Sequence, residues 1–110
     1  MPGRPYLQFI TQAERIWGEM PHRERLVLIA VLKHDTTHSE LLHVMDLMSL
    51  TEIGSPVTIH KAIKCLEVGH YLKLDAIKRD QRIKAISLTS KSLTLLKRLD
   101  RLALNSITSK

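Results

Sequence analysis

A chain of 110 residues with 44% apolar side chains can build one modest core, and with 4% aromatics that core must come from Leu, Ile and Val. The single cysteine, Cys65, excludes an internal disulfide, and no apolar run approaches the roughly 20 residues that span a bilayer. Seventeen Lys and Arg against eleven Asp and Glu leave a net charge of +6. The N-terminus MPGRPYLQF lacks a long apolar stretch and a small-residue cleavage site, so a cytoplasmic protein without a signal peptide or membrane segment is expected.

Residues 7 to 20 place Leu7, Ile10, Ala13, Ile16, Trp17 and Met20 at the spacing of one helical face. Pro21 can open a second helix, where its missing N–H costs nothing. That helix carries LVLIAVL, Leu26 to Leu32, which is apolar all round and is expected to form the buried spine. HDTTHSE, His34 to Glu40, reads as a polar break, followed by a third helix from Ser39 to about Met48. After SLTEIG, Ser55 and Pro56 stand as N-cap and first residue of a fourth helix that stops near Gly69. The period then changes to two. Leu72/Leu74 and Ile86/Leu88 alternate with Lys73 and Ser87, predicting a hairpin around the charged loop DAIKRDQ. Thr89 is a good N-cap for a last helix to about Asn105, rich in leucine from Leu93 to Leu104. Two closely spaced helices before a basic hairpin are the layout of a winged helix-turn-helix.

Projected at 100° per residue, Ile59, Ala62, Ile63 and Leu66 of the fourth helix share a narrow inward arc. Val57, Lys61, Lys64 and Val68 lie opposite, flanked by Thr58 and His60. This is either the solvated side of an ordinary core helix or a face for an external partner. The charge distribution favours a partner. Between Ser55 and Lys91, eight basic residues (Lys61, Lys64, Lys73, Lys78, Arg79, Arg82, Lys84 and Lys91) meet three acidic ones (Glu67, Asp75 and Asp80). Localised positive charge of this kind suits a polyanion. KRDQRIK, Lys78 to Lys84, sits on a hairpin tip with no core to serve, suited to a phosphate backbone or a narrow minor groove. Within it Asp80 is expected to hold an arginine in position.

SPVTIHKAIKCLEVGHYL, followed by RDQRIKAISLTSKS, resembles the DNA-binding core of the MarR-type winged-helix regulators. Leu66-Glu67 and Gly69 match the end of that family's recognition helix. Asp80 and Arg82 match two of its three wing residues, and Leu88-Thr89 match the opening of the next helix. The resemblance implies a mostly α fold with a small β-hairpin wing, a winged helix-turn-helix, with residues 1–110 as one domain. Residues 55–89 would be recognition helix and wing, and residues 6–20 and 90–106 terminal dimerisation helices.

It implies that Thr58 and Lys61 take base- and phosphate-contacting positions and Arg82 the minor-groove position. The full expected contact set for double-stranded DNA is Ser55, Val57, Thr58, His60, Lys61, Lys64, Lys78, Arg79, Arg82 and Lys84. The implied protein is a homodimeric transcriptional repressor on a palindromic site, cytoplasmic and associated with the nucleoid. The family's small-molecule effectors leave no mark on any residue here. A winged-helix module that binds another protein is the second reading. Its grounds are Gln81, in place of the first wing arginine, and the long turn at 49–54.

The remaining constellations carry less. His34, Asp35, His38 and His43 could suit a metal only if one helix carried His34 and His38, and DTT is expected to break the helix there, so no metal is expected. Cys65, on the edge of the core face, reads as small apolar filler. There is no Gly-rich phosphate loop, no carboxylate pair in an apolar setting and no supported Ser/His/Asp set, so neither an enzyme nor a cofactor is expected.

Overall fold

A computed structural model describes residues 4–38, 40–80 and 82–108. The order of elements is α1 (Pro5–Trp17), α2 (His22–Thr37), β1 (Leu42–His43), α3 (Val44–Met48), α4 (Pro56–Val68), β2 (Leu72–Ala76), β3 (Lys84–Leu88) and α5 (Ser90–Thr108). The three strands form an antiparallel sheet in the order β1-β3-β2. The architecture is mostly helical with a small sheet, as expected.

The core forms where the apolar faces of α2 and α4 meet. Val27, Leu28 and Val31 of α2 pack with Ile59, Ala62, Ile63 and Leu66 of α4, the four residues placed inward by the helical projection. Leu47, Leu42, Leu72 and Ile86 close this cluster from α3 and the sheet. The hairpin has the register that alternation predicts, with Leu72 opposite Leu88, Lys73 opposite Ser87 and Leu74 opposite Ile86. Lys73 and Ser87 are exposed.

Three boundaries differ from expectation. The second helix does not break at His34. It runs through Thr37, with the hydroxyls of Thr36 and Thr37 both turned back to donate to Lys33 O, at 3.0 and 2.8 Å, rather than capping a break. The third helix is only Val44–Met48; its expected start at Ser39 lies outside the described residues. Leu42 and His43 instead form β1, pairing with Ile86 and Ala85 of β3, so the hairpin gains a third strand. The first helix ends at Trp17, where Gly18 adopts φ +70°, and Met20 is buried beyond it. At the end of α4, Gly69 has φ −79° and the left-handed residue is His70, at +65°.

That left-handed turn is secured from α5. Thr89 Oγ1 donates to His70 O at 2.6 Å, and Lys91 Nζ donates to Gly69 O at 2.8 Å while lying 4.4 Å from the Tyr71 ring centroid. Thr89 also caps α5 reciprocally with the fully buried Ser92. Ser92 N donates to Thr89 Oγ1 at 3.2 Å, and Thr89 N donates to Ser92 Oγ at 2.9 Å.

The loop between α1 and α2 is held by Arg25, which donates to Met20 O at 2.7 Å and Gly18 O at 3.2 Å, pairs with Glu14 and lies over Trp17. α1 and α5 pack against each other and extend the molecule to 57 × 26 × 22 Å. Replacing Thr89→Ala removes both the cap and the tie to His70. It should lower the unfolding free energy by about 1–2 kcal/mol in urea titrations followed by circular dichroism, with an unchanged m-value.

Candidate nucleic-acid interface

α3 and α4 are joined by a turn that is long but well packed. Leu50 N donates to Leu47 O and Ile53 N to Leu50 O, both at 3.0 Å, and Leu50 and Ile53 rest against the core. The turn delivers the chain to Ser55 in an extended conformation, and Ser55 Oγ caps α4 by accepting from Thr58 N at 3.3 Å. The two hydroxyls of Ser55 and Thr58 are 2.9 Å apart. Thr58 is therefore half-buried and engaged locally, whereas Val57 beside it is 78% exposed. An apolar side chain with that exposure, on the first turn of a helix whose other face is fully buried, has no partner within the core.

His60, Lys61 and Lys64 are exposed on the same outward side. Lys64 pairs with Glu67 at 3.1 Å, one turn along. Lys61 has no acidic partner among the described residues. A cleft of about 140 Å³ between α4 and the sheet is lined by His60, Lys64, Glu67, Leu74 and Lys84, among others. The fold thus brings Lys84, at the base of the wing, beside the outer face of α4. Cys65 is exposed rather than filling the core, because α4 turns its buried arc toward Ile63 and Leu66 and carries position 65 outside it.

The wing loop is organised by a carboxylate. Arg82 donates from Nε to Asp80 Oδ1 and from Nη2 to Asp80 Oδ2, both at 3.1 Å, and its backbone N donates to Oδ1 at 3.0 Å. A two-pronged ion pair of this kind fixes the plane of the guanidinium. The Arg82 side chain nevertheless remains 90% exposed. It is held in place and still presented outward, as the sequence suggests for Asp80. Gln81 lies outside the described residues.

Lys78 and Arg79 are exposed but point elsewhere. They line a separate open cavity against the end of α2 and β1, with His34, Glu40 and Asp46. The structure therefore gathers His60, Lys64 and Lys84 around one cleft and sets Val57 and Lys61 on the same helix. It leaves Arg82 at the wing tip and Lys78 and Arg79 on another wall.

Arg23 is missed by the sequence reading. Its Nη1 lies so near Gly54 that a Cβ there would meet it at 2.7 Å, which puts a guanidinium at the entrance to α4. Within the sequence it looks like an ordinary member of the charged lead HRER. Only the folding of α2 across the turn before α4 brings it to the site.

The fold is that of the MarR-type winged helix-turn-helix regulators. The MepR–DNA complex of S. aureus superposes with a TM-score of 0.75 at 15% identity, covering 94% of this chain and 80% of that one. BpsR of Bordetella bronchiseptica, whose DNA binding is regulated by 6-hydroxynicotinic acid, gives 0.61 at 18% identity over 96% and 73% of the two chains. The transcriptional regulator PcaV of Streptomyces coelicolor gives 0.60 at 17% identity over 96% and 77%. At these identities the likeness is one of fold. No family model and no curated protein matches the sequence. Among the described residues no helix is long and apolar enough to cross a membrane.

The side-chain hydrogen bonds from Arg82, reinforced by its backbone N–H, hold the Asp80 carboxyl below its ordinary pKa. Because the folded value is the lower one, the contact contributes its stabilisation above the ordinary carboxylate pKa. That contribution is lost as pH falls through the lowered value. In Arg82→Ala the Asp80 titration, followed by carboxyl-carbon NMR, should move up toward the ordinary value. An unmoved titration would show that Arg82 does not hold the carboxylate.

Proposed function

We propose that this chain is a dimeric, sequence-specific regulator of transcription that binds double-stranded DNA and acts as a repressor. In this reading α4 enters the major groove, and Arg82 on the wing reaches the adjacent minor groove. The observation that carries it is the outer face of α4. Val57 is exposed beside Lys61, which has no acidic partner among the described residues, on a helix whose opposite face is anchored in the core. Val57 is placed for a thymine methyl and Lys61 for guanine O6 and N7, while the first-turn N–H groups favour a phosphate.

Lys61 and Lys84 have no acidic partner within ion-pair distance among the described residues, so no internal ion pair must break before they meet phosphates, whereas Lys78 and Arg79 lie on another wall and stay outside the contact face. Arg82 comes already oriented by Asp80, which lowers the entropic cost of ordering it on DNA. Ser55, Thr58, His60 and Lys64 complete the contact face, and Arg23 joins it at the entrance to α4. The fold shared with the MepR–DNA complex supports the same use of these elements. A repressor needs only to occupy its site, which a compact reading domain can do.

The dimer is proposed from the α1–α5 arm. α1 contributes no buried residue, and Tyr6 and Leu7 are 72% and 52% exposed. A second copy's arm would cover them and would place two α4 helices on half-sites roughly 34 Å apart along a palindrome.

Lys61→Ala and Arg82→Ala should each weaken binding to a site selected from random duplex DNA by about 1–3 kcal/mol in gel-shift titrations, with circular dichroism unchanged. Affinity should also fall steeply as salt is raised. If selection returns no consensus and neither substitution alters affinity, DNA reading is refuted and a winged-helix protein-interaction module takes its place. Sedimentation at micromolar concentration should give twice the chain mass. A monomer would overturn the dimer.

A further inference from the structure

The sequence disfavours a metal at HDTTH because a helix break there would separate His34 from His38, but the structure keeps the two rings together. α2 continues through Thr37, so His34 lies in its last turn and His38 follows directly as the C-cap, in extended backbone. Their rings are parallel within 3° and stacked with centroids 4.5 Å apart. Beyond the helix the chain turns back, with Glu40 O 3.0 Å from His34 Nε2. One nitrogen of each imidazole and a carboxylate oxygen of Glu40 then lie within 4.8 Å of one another.

We propose that His34, His38 and Glu40 form a binding site for a late first-row divalent metal ion such as Zn²⁺. Two imidazoles with one carboxylate, gathered at the end of a helix, make a three-ligand set that leaves a coordination position open. Imidazole ligands select zinc, nickel or copper over magnesium and calcium.

Ligand atoms around a tetrahedral zinc with bonds of about 2.0–2.1 Å lie roughly 3.3 Å apart, so the three groups must close by about 1.5 Å. His38 and Glu40 are exposed and free to make that movement by rotation. Thr37 Oγ1 lies 2.7 Å from His38 Nδ1, which engages that nitrogen and leaves Nε2 for a metal, as outer-shell partners of metal-bound histidines do. Lys78 and Arg79 line the same cavity of about 700 Å³ and oppose a cation, which weakens the site. The inference is independent of the DNA reading.

The test is titration of the untagged chain with Zn²⁺ in competition with a chromogenic chelator, and with Co²⁺ followed by its visible absorption. The expected result is saturable binding of one equivalent per chain. His34→Gln and His38→Gln should each weaken it by at least about tenfold, the lower end of what even outer-shell changes cost. His43→Gln, on the same cavity but outside the cluster, should bind as the wild type does. Circular dichroism checks that these substitutions keep the fold. Absence of saturable binding by the wild type overturns the site. So does full binding by the His34 or His38 variant, or an equal loss in the His43 variant.

Discussion

Everything on the outer side of α4 depends on what its inner side does. Ile59, Ile63 and Leu66 are completely buried and Ala62 nearly so, against Val27, Leu28 and Val31 of α2. Burying four apolar side chains from one helix contributes several kcal/mol and leaves only one rotation of that helix about its axis compatible with a dry core. The positions of Val57, His60, Lys61 and Lys64 follow from that rotation. A surface whose orientation is set by a close-packed interior needs no ordering of backbone when it meets a partner, and that rigidity is what a recognition element requires.

The wing is tied to the same interior by a different route. Ile86 of β3 belongs to the core cluster, and β3 is flanked on both sides, by β1 and β2. The short β1 therefore matters more than its two residues suggest. It covers the edge of β3 that a two-stranded hairpin would leave open and joins the wing to the start of α3. At the tip no core is available, and order comes from Asp80 and Arg82 instead. The wing is hydrophobically anchored at its base and electrostatically organised at its tip.

Periodicity made most of this architecture readable from the residues. The inward arc of α4, the register of β2 with β3, and Thr89 as the cap of α5 all rest on local patterns of three to eight residues. The errors fall where non-local contacts decide. Thr36 and Thr37 look like helix breakers until their hydroxyls are seen returning to Lys33 O within the helix. Leu42 and His43 have too short a pattern to declare a strand, and become one only because β3 lies alongside. Gly69 stops α4 as read, but that the left-handed turn falls on His70, with Thr89 and Lys91 bonded to the carbonyls of His70 and Gly69, is not legible locally. Arg23 was invisible as a site residue for the same reason, since its place beside Gly54 is a product of the tertiary fold.

The tie between the end of α4 and the start of α5 has a mechanical consequence. Thr89 and Lys91 bind the end of α4 to the start of α5, and Leu95 seats α5 in the core just beyond them, so any tilt of α5 relative to α4 pivots near its N-terminal end. Its 19 residues span about 28 Å, and a tilt of about 5° at the pivot would carry its far end by roughly 2–3 Å. A small change in the angle at this pivot would therefore move the far half of α5, with α1 packed on it, relative to the outer face of α4.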